Sequence, residues 1–233
     1  MRNTSITFKR PEADLSALEL LALEYPSVDA AVAEIARLSA VQTLPRAAIH
    51  VISDIHGEDK KLQHVINNAS GTLRPLVEEV FAETMDAEEL KEFLKLTFYP
   101  AEVTARVEKT LKDPEEVRAY ALRMLKPQLE LLRNLMMKYS LRVATRVFPA
   151  EYSELLLEML HAPSIERGPE FIGTMIDELQ RRGRALHLIH MLGRLIRNLA
   201  VDELIIGGDC WDRGPRGDRV VDYLRLQPNV AFI

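Results

Sequence analysis

The sequence has little cysteine, no long apolar run and no large excess of charge of one sign. Cys210 is its only cysteine, so no disulfide can form within the chain, which is usual for proteins of reducing compartments. No window approaches the roughly eighteen consecutive apolar residues of a membrane-spanning helix, and residues 1–11 contain no apolar stretch of signal-peptide length. We therefore expect a soluble, cytoplasmic protein that does not partner a membrane.

The charge balance also excludes a class of partners. The formal net charge is -5, and charged residues make up 28% of the chain. A mildly acidic chain has no general electrostatic attraction to nucleic acid, so we expect no nucleic-acid partner. Any anionic ligand must be held by local charge, such as bound metal ions or a few arginines.

Hydrophobic patterning divides the chain into three parts. Residues 1–72 predict two helices separated near Pro26, with Ser27 or Asp29 as N-cap, followed by a short strand, a turn and a helix. Residues 73–200 show helical spacing almost throughout and are predicted to form a helical insertion. Residues 201–233 predict strand, loop, helix and strand. The expected fold class is α/β with a parallel sheet, since the last part has the βαβ pattern.

The first motif whose side chains could bind a metal spans residues 54–57, directly after the first predicted strand. In an extended turn alternate side chains project to one side, so Asp54 and His56 can face one ion. A carboxylate and an imidazole suit Mn²⁺, Fe²⁺ or Zn²⁺. Gly57 allows a sharp turn beside them. The alternative, which this motif alone favours, is that Asp54 caps the next helix and His56 is a surface residue.

The second motif, GGDCWDRGP, spans residues 207–215 after the second predicted strand. Ligand sites in parallel sheets lie past the carboxyl ends of strands, which is where Asp209 falls. Its carboxylate can bridge two ions, and the pair of glycines before it leaves room for close backbone approach. Arg213 is suited to gripping a phosphate through paired donors. The alternative is a Gly-Asp turn with a local ion pair between Asp212 and Arg213.

Together these motifs resemble the signature of the metallophosphoesterase, or calcineurin-like, superfamily: D-x-H, then G-D-x-x-D-R-G, then G-N-H followed by an acid. Most members have a short connection between the first two motifs. This chain has a long helical insertion there, and in this respect it resembles class III fructose-1,6-bisphosphatase. Residues 21–45, 50–71 and 199–215 also resemble that family. The implied fold is an incomplete calcineurin-like sheet with a large helical insertion and an N-terminal helical segment.

The resemblance implies a two-metal centre and a sugar bisphosphate substrate. Asp54 and His56 would bind the first metal, and Asp209 would bridge both; the family favours manganese. The implied reaction is hydrolysis of the 1-phosphate of fructose 1,6-bisphosphate to fructose 6-phosphate and inorganic phosphate, a step of gluconeogenesis.

Two further roles concern the substrate and leaving group. The resemblance implies that Arg213 holds the substrate phosphate and that Asp212 orients a histidine that protonates the leaving group. Arg216 lies close to the same loop in sequence and is a candidate to assist with the phosphate.

The third family motif is not found in the sequence. In the family it follows the strand predicted at residues 229–233 and supplies further ligands. We therefore expect an N-terminal fragment that binds metal weakly and hydrolyses little. Alternatives are another metallophosphoesterase, such as a protein phosphatase or dinucleoside polyphosphate hydrolase, and a non-catalytic helical remnant or interaction module. The oligomeric state stays open, with a homo-oligomer among the alternatives.

Four other histidines are predicted to have structural roles. His50 is expected to be a sheet residue, and His64 is expected to pack under the site. His187 and His190 are neighbours on one helical face, a spacing that can bind a metal. No carboxylate accompanies them in the sequence, so we expect packing instead. Cys210 is expected to be a buried side chain and not a ligand.

Overall fold

The computed structural model describes residues 15–45, 48–161, 168–227 and 229–232. These residues form two compact units, which meet in sequence between Leu44 and Pro45. The first unit contains α1 (Leu15–Glu24) and α2 (Val28–Val41). Ser27 caps α2, as predicted: its backbone is extended, and its hydroxyl accepts a hydrogen bond from the Ala30 N–H at 3.1 Å. The three-part division by sequence motif stays a prediction.

The second unit contains a parallel three-stranded sheet of β1 (Ile49–Ile52), β2 (Glu203–Ile206) and β3 (Val230–Phe232), in that spatial order. Val51 lies opposite Ile205, which in turn lies opposite Ala231. Parallel neighbours need a crossover, which α12 (Gly217–Arg225) provides between β2 and β3. The α/β class and the parallel sheet are therefore confirmed.

Between β1 and β2 the described residues form helices joined by turns and short loops. The α-helices are α3 (Asp59–Asn67), α4 (Leu73–Phe81), α5 (Ala87–Phe98), α6 (Pro100–Thr110), α7 (Pro114–Met136), α8 (Leu141–Ala144), α9 (Ser153–His161), α10 (Gly168–Arg181) and α11 (Ala185–Ala200). Two short 3₁₀ turns cover Thr145–Val147 and Ala150–Tyr152. Within the described residues, no helix has both the length and the apolar character required to cross a bilayer.

Local sequence explains where these helices begin. Pro100 and Pro114 stand at first-turn positions, where the missing N–H costs nothing. Asp86 starts α5 through a capping box: its side chain accepts from the Glu88 and Glu89 amides, and Glu89 accepts from the Asp86 N–H.

The centre of the helical core is α11, which packs against α5, α6, α7 and α10. Leu188, Ile189, Leu192 and Ile196 on this helix are completely buried. Burying a side chain of this size stabilises the fold by about 1.5–3 kcal/mol. This core fixes α11, whose end leads into β2.

A polar network joins three helices that flank the sheet strands in sequence. Buried Asn67 accepts hydrogen bonds from the Arg197 guanidinium and, at 2.9 Å, from the Tyr223 hydroxyl. Burial raises the pKa of Tyr223 and lowers that of Arg197. Because these residues belong to α3, α11 and α12, the network joins the helices that follow β1, precede β2 and follow β2.

Candidate metal centre

Asp54 and Asp209 lie just past the carboxyl ends of β1 and β2, which are neighbouring parallel strands. One carboxylate oxygen from each and one ring nitrogen of His56 all lie within 4.8 Å of one another. No other group of three or more His, Cys, Asp or Glu side chains in the described ranges meets this condition. The structure therefore brings together the three residues that the sequence predicts as ligands.

The backbone of the first loop differs from the prediction. Asp54, His56 and Gly57 have φ values of 56°, 47° and 68°, so the extended turn expected from sequence is wrong. The reason is that the chain must reverse from β1 into α3 within a few residues while Ile55 enters the core, where it is only 6% exposed. Left-handed residues other than glycine cost about 1–3 kcal/mol each. The ligands thus converge through a tight left-handed turn.

The two loops are joined by backbone hydrogen bonds. The His56 N–H donates to the Asp209 carbonyl at 2.8 Å, and the Gly57 N–H donates to the Cys210 carbonyl at 3.0 Å. Where β1 and β2 end, the Gly207 N–H also donates to the Ile52 carbonyl at 2.9 Å. These bonds hold the candidate ligand His56 of one loop beside Asp209 of the other.

The role of Gly208 differs from the one predicted. At Gly208 a Cβ would meet nothing within 4 Å, but its φ is +57°, so it supplies conformational freedom and not close approach. The close approach is at Gly214, where a Cβ would lie 1.3 Å from the His56 carbonyl oxygen. Sequence reasoning missed this role, although Gly214 is part of the motif that drew attention to the loop.

The two nitrogens of His56 face different carboxylates. Nε2 lies 4.0 Å from Oδ1 of Asp54, on the side of the candidate ligands. Nδ1 lies 3.6 Å from Oδ1 of Asp212; it is buried and has no hydrogen-bond partner among the described residues. Asp212 is predicted to orient a histidine that protonates the leaving group, and in the structure it lies beside His56.

The arginines of the second loop are accessible. The Arg213 side chain is 76% exposed, its φ is 63°, and its Nε lies 3.3 Å from Oδ2 of Asp212. The local ion pair considered as an alternative is thus present beside the candidate metal ligands. Arg216 is exposed where α12 begins. The roles predicted for both arginines toward substrate stay predictions.

Two other sequence predictions concern residues near these loops. Cys210 is buried, as predicted, and its thiol donates to the Gly208 carbonyl at 2.8 Å. Burial, followed by the charges of Asp209 and Asp212, raises the pKa of this thiol. The packing of His64 under the site is wrong: its ring is exposed and stacked on Tyr99, with Nδ1 2.5 Å from the hydroxyl.

The donor set fits a divalent cation. Two carboxylates converge with one imidazole, and no lysine or arginine pairs with Asp54 or Asp209 in the part of the chain that the structure describes. Their negative charge is therefore not neutralised by protein. Mixed oxygen and imidazole donors suit transition metals such as Mn²⁺, Fe²⁺ and Zn²⁺.

Fold and site together define an α/β protein with a candidate cation centre at the carboxyl ends of adjacent parallel strands. The family model described as Firmicute fructose-1,6-bisphosphatase matches residues 16–233. The chain belongs to this family.

Curated relatives named fructose-1,6-bisphosphatase class 3 agree with that assignment. One from Bacteroides fragilis is 34% identical over 222 residues, which is 95% of this chain and 33% of the relative. One from Clostridium acetobutylicum is 33% identical over 215 residues, covering 91% of this chain and 31% of the relative. The chain spans about a third of the length of the curated relatives it matches. No solved structure matches the chain.

Proposed function

We propose that the chain functions in metal-dependent hydrolysis of fructose 1,6-bisphosphate to fructose 6-phosphate and inorganic phosphate. The observation that supports this most strongly is the convergence of Asp54, His56 and Asp209 from two strand ends. The names of the class 3 relatives indicate the substrate. The order of the two motifs on parallel strands supports a calcineurin-like sheet.

Asp54, His56 and Asp209 would hold the cation, and we propose Mn²⁺ as the native ion. Bound divalent cations lower the pKa of water and offset charge on phosphoryl oxygens. The role of the protein would be to fix these three donors, and the backbone hydrogen bonds between the two loops support that role.

The residues of the second loop would act on the substrate. Arg213 has a planar fork of donors that matches a phosphate, and its high exposure makes it accessible to a solvent-borne ligand. Asp212 contacts both Arg213 and His56, so one carboxylate positions the phosphate-binding side chain and a cation ligand. Arg216 is proposed to assist with the phosphate.

The test is phosphate release from fructose 1,6-bisphosphate with and without Mn²⁺, in the wild-type chain and in Asp209→Asn. We expect slow release that requires Mn²⁺ and is lost in the variant. The amide of the variant is neutral and would no longer attract the cation. The matched control is Asp218→Asn, an exposed aspartate of α12, which should release phosphate as the wild type does.

Substrate class is tested by comparing fructose 1,6-bisphosphate with a phosphopeptide at equal concentration. We expect faster release from the sugar bisphosphate. Faster release from the phosphopeptide would overturn the substrate assignment, and Mn²⁺-independent release that survives Asp209→Asn would overturn the proposed site.

A further inference from the structure

A groove with both polar and apolar walls lies in the helical part of the chain and shares no residue with the candidate metal centre. Its volume is about 430 Å³, which lies within the usual range of roughly 300–1,000 Å³ for small-molecule sites. One wall is the face of α11, and the other includes the 3₁₀ turn Ala150–Tyr152. The polar and aromatic groups on these walls include Tyr152, His187, His190, Arg194 and Asn198.

The spacing along α11 explains why these groups share one face. His187, His190, Arg194 and Asn198 follow one another at intervals of three and four residues, which places them in a row along the helix. The two imidazoles have ring centroids 6.4 Å apart, and the Tyr152 ring lies 5.9 Å from His187. His187 is exposed and His190 is half-buried, so the packing role predicted from sequence accounts for His190 only in part.

The donors in this row have nothing to bind within the described structure. There, neither the Arg194 guanidinium nor the Asn198 amide has a hydrogen-bond or ion-pair partner, and the two imidazoles make ring contacts but no hydrogen bond. Glu151 is the one acid on the groove walls. A metal does not fit, because no third ligand joins the two histidines in the described ranges.

We propose that this groove binds a small organic anion whose phosphate or carboxylate is held by Arg194 and His190. A guanidinium matches the planar geometry of either group through two parallel hydrogen bonds. Met191, Leu195 and the Tyr152 ring supply an apolar surface beside these donors, which suits a ligand with a flat, apolar body.

The test uses phenyl phosphate and benzoate as probes, with phenol as a neutral molecule of the same shape. Proton NMR of the histidine rings locates binding, since the chain has six histidines that can be assigned with single His→Gln variants. The experiment is done without divalent metal, so that the strand-end site contributes little affinity. We expect both anions, and not phenol, to shift His187 and His190 while His50 and His64 stay unchanged.

The matched variants are Arg194→Gln in the groove and Arg74→Gln on α4, each of which removes one exposed guanidinium. Losing a charge-assisted hydrogen bond should weaken phenyl phosphate binding by about tenfold or more in Arg194→Gln. Arg74→Gln should bind as the wild type does. Circular dichroism confirms that both variants are folded.

A pH series with benzoate, whose own charge is constant above pH 6, gives an independent readout. The pKa of His190 is lowered overall, first by burial and then by the charges of Arg194, His187 and Arg197. The charge of Glu102 on α6 opposes this shift in part. Glu151 and the Tyr152 hydroxyl are the other titratable groups on the walls. A bound anion favours protonated His190, so benzoate should bind more tightly at pH 6 than at pH 8.

Three results would overturn the proposal. The first is the absence of shifts at His187 and His190 at millimolar probe. The second is a set of shifts confined to His56, which would place the anion at the strand-end loops. The third is equal affinity in Arg194→Gln and the wild type. If one probe binds and the other does not, the groove is assigned to phosphates or to carboxylates accordingly.

Discussion

Gly214 has no side chain, and the space that a Cβ would need is taken by the carbonyl oxygen of His56, 1.3 Å from the ideal Cβ position. Gly57 in turn lies against Gly214: a Cβ added to Gly57 would be 3.0 Å from the Gly214 Cα. At the scale of single residues, the ligand geometry therefore depends on two glycine backbones in direct contact.

Gly214→Ala should weaken Mn²⁺ binding by about tenfold or more and destabilise the fold by about 1–3 kcal/mol, the usual cost of overpacking. The new methyl must push the first loop away, which separates His56 from Asp209. Isothermal titration calorimetry measures the affinity, and urea unfolding measures the free energy of unfolding.

Gly183→Ala is the control for this prediction. Gly183 has φ +65° but open space around it, so alanine there introduces backbone strain without displacing a loop. It should cost stability and leave Mn²⁺ affinity unchanged. Equal affinity in Gly214→Ala and Gly183→Ala would contradict the proposed role of the loop contact.

The identities of the candidate ligands could be predicted from sequence, whereas their backbone conformations could not. Asp54, His56 and Asp209 stand out because cation binding needs these donors and strand ends position them. The left-handed φ values at Asp54 and His56 occur where the chain reverses from β1 into α3 beside a loop that is distant in the chain. A short sequence window does not contain that loop.

At the scale of secondary-structure elements, α11 and α6 cross at a glycine. A Cβ on Gly193 of α11 would lie 2.7 Å from the Pro100 Cβ at the start of α6, and 3.5 Å from the Leu96 carbonyl oxygen. The proline ring is rigid and buried, so it has little room to move. The close crossing of these helices therefore requires glycine.

Gly193→Ala should lower the free energy of unfolding by up to about 2 kcal/mol. Alanine gains about 1 kcal/mol of helix propensity, but overpacking against Pro100 costs about 1–3 kcal/mol and outweighs it in this buried crossing. For a chain of this size the melting temperature should fall by about 2–4 °C per kcal/mol. Differential scanning calorimetry measures the change.

Gly173→Ala in α10 is the matched helical control. Its Cβ would meet only the Arg118 guanidinium at 4.0 Å, which is ordinary contact. Only the higher helix propensity of alanine affects stability at this position. The variant should therefore be as stable as the wild type or more stable by up to about 1 kcal/mol. If both variants change the melting temperature equally, the crossing does not depend on the missing methyl.

Elements were predictable where the pattern is local. The caps, the prolines at helix starts and the apolar spacing are all contained within short windows, and Ser27 shows that a cap residue can be identified from sequence. The choice of partners is not local. That α11 packs on four other helices depends on side chains throughout the insertion, and the groove beside Arg194 arises from that packing.

At the scale of the whole molecule, two motifs at distant positions in the chain meet because β1 and β2 are neighbours. The βαβ pattern predicts a parallel sheet but not which strand lies beside β1. Two negatively charged carboxylates are consequently held close together by the fold. Without a cation they repel, and with one they are neutralised, so cation binding should be coupled to stability.

Mn²⁺ should raise the melting temperature of the chain, and a chelator should reverse the increase. Binding to the folded state alone adds about 2.7 kcal/mol at a free concentration one hundred times the dissociation constant, which corresponds to several degrees for a chain of this size. Asp209→Asn should lose this increase. Without metal the same variant should be at least as stable as the wild type, because the amide relieves repulsion with Asp54.

The readout is therefore the metal-dependent increment in melting temperature, measured by calorimetry with Mn²⁺ and with EDTA. Asp218→Asn, which lies outside the ligand group, should keep the full increment, and an equal increment in Asp209→Asn would show that the cation binds elsewhere.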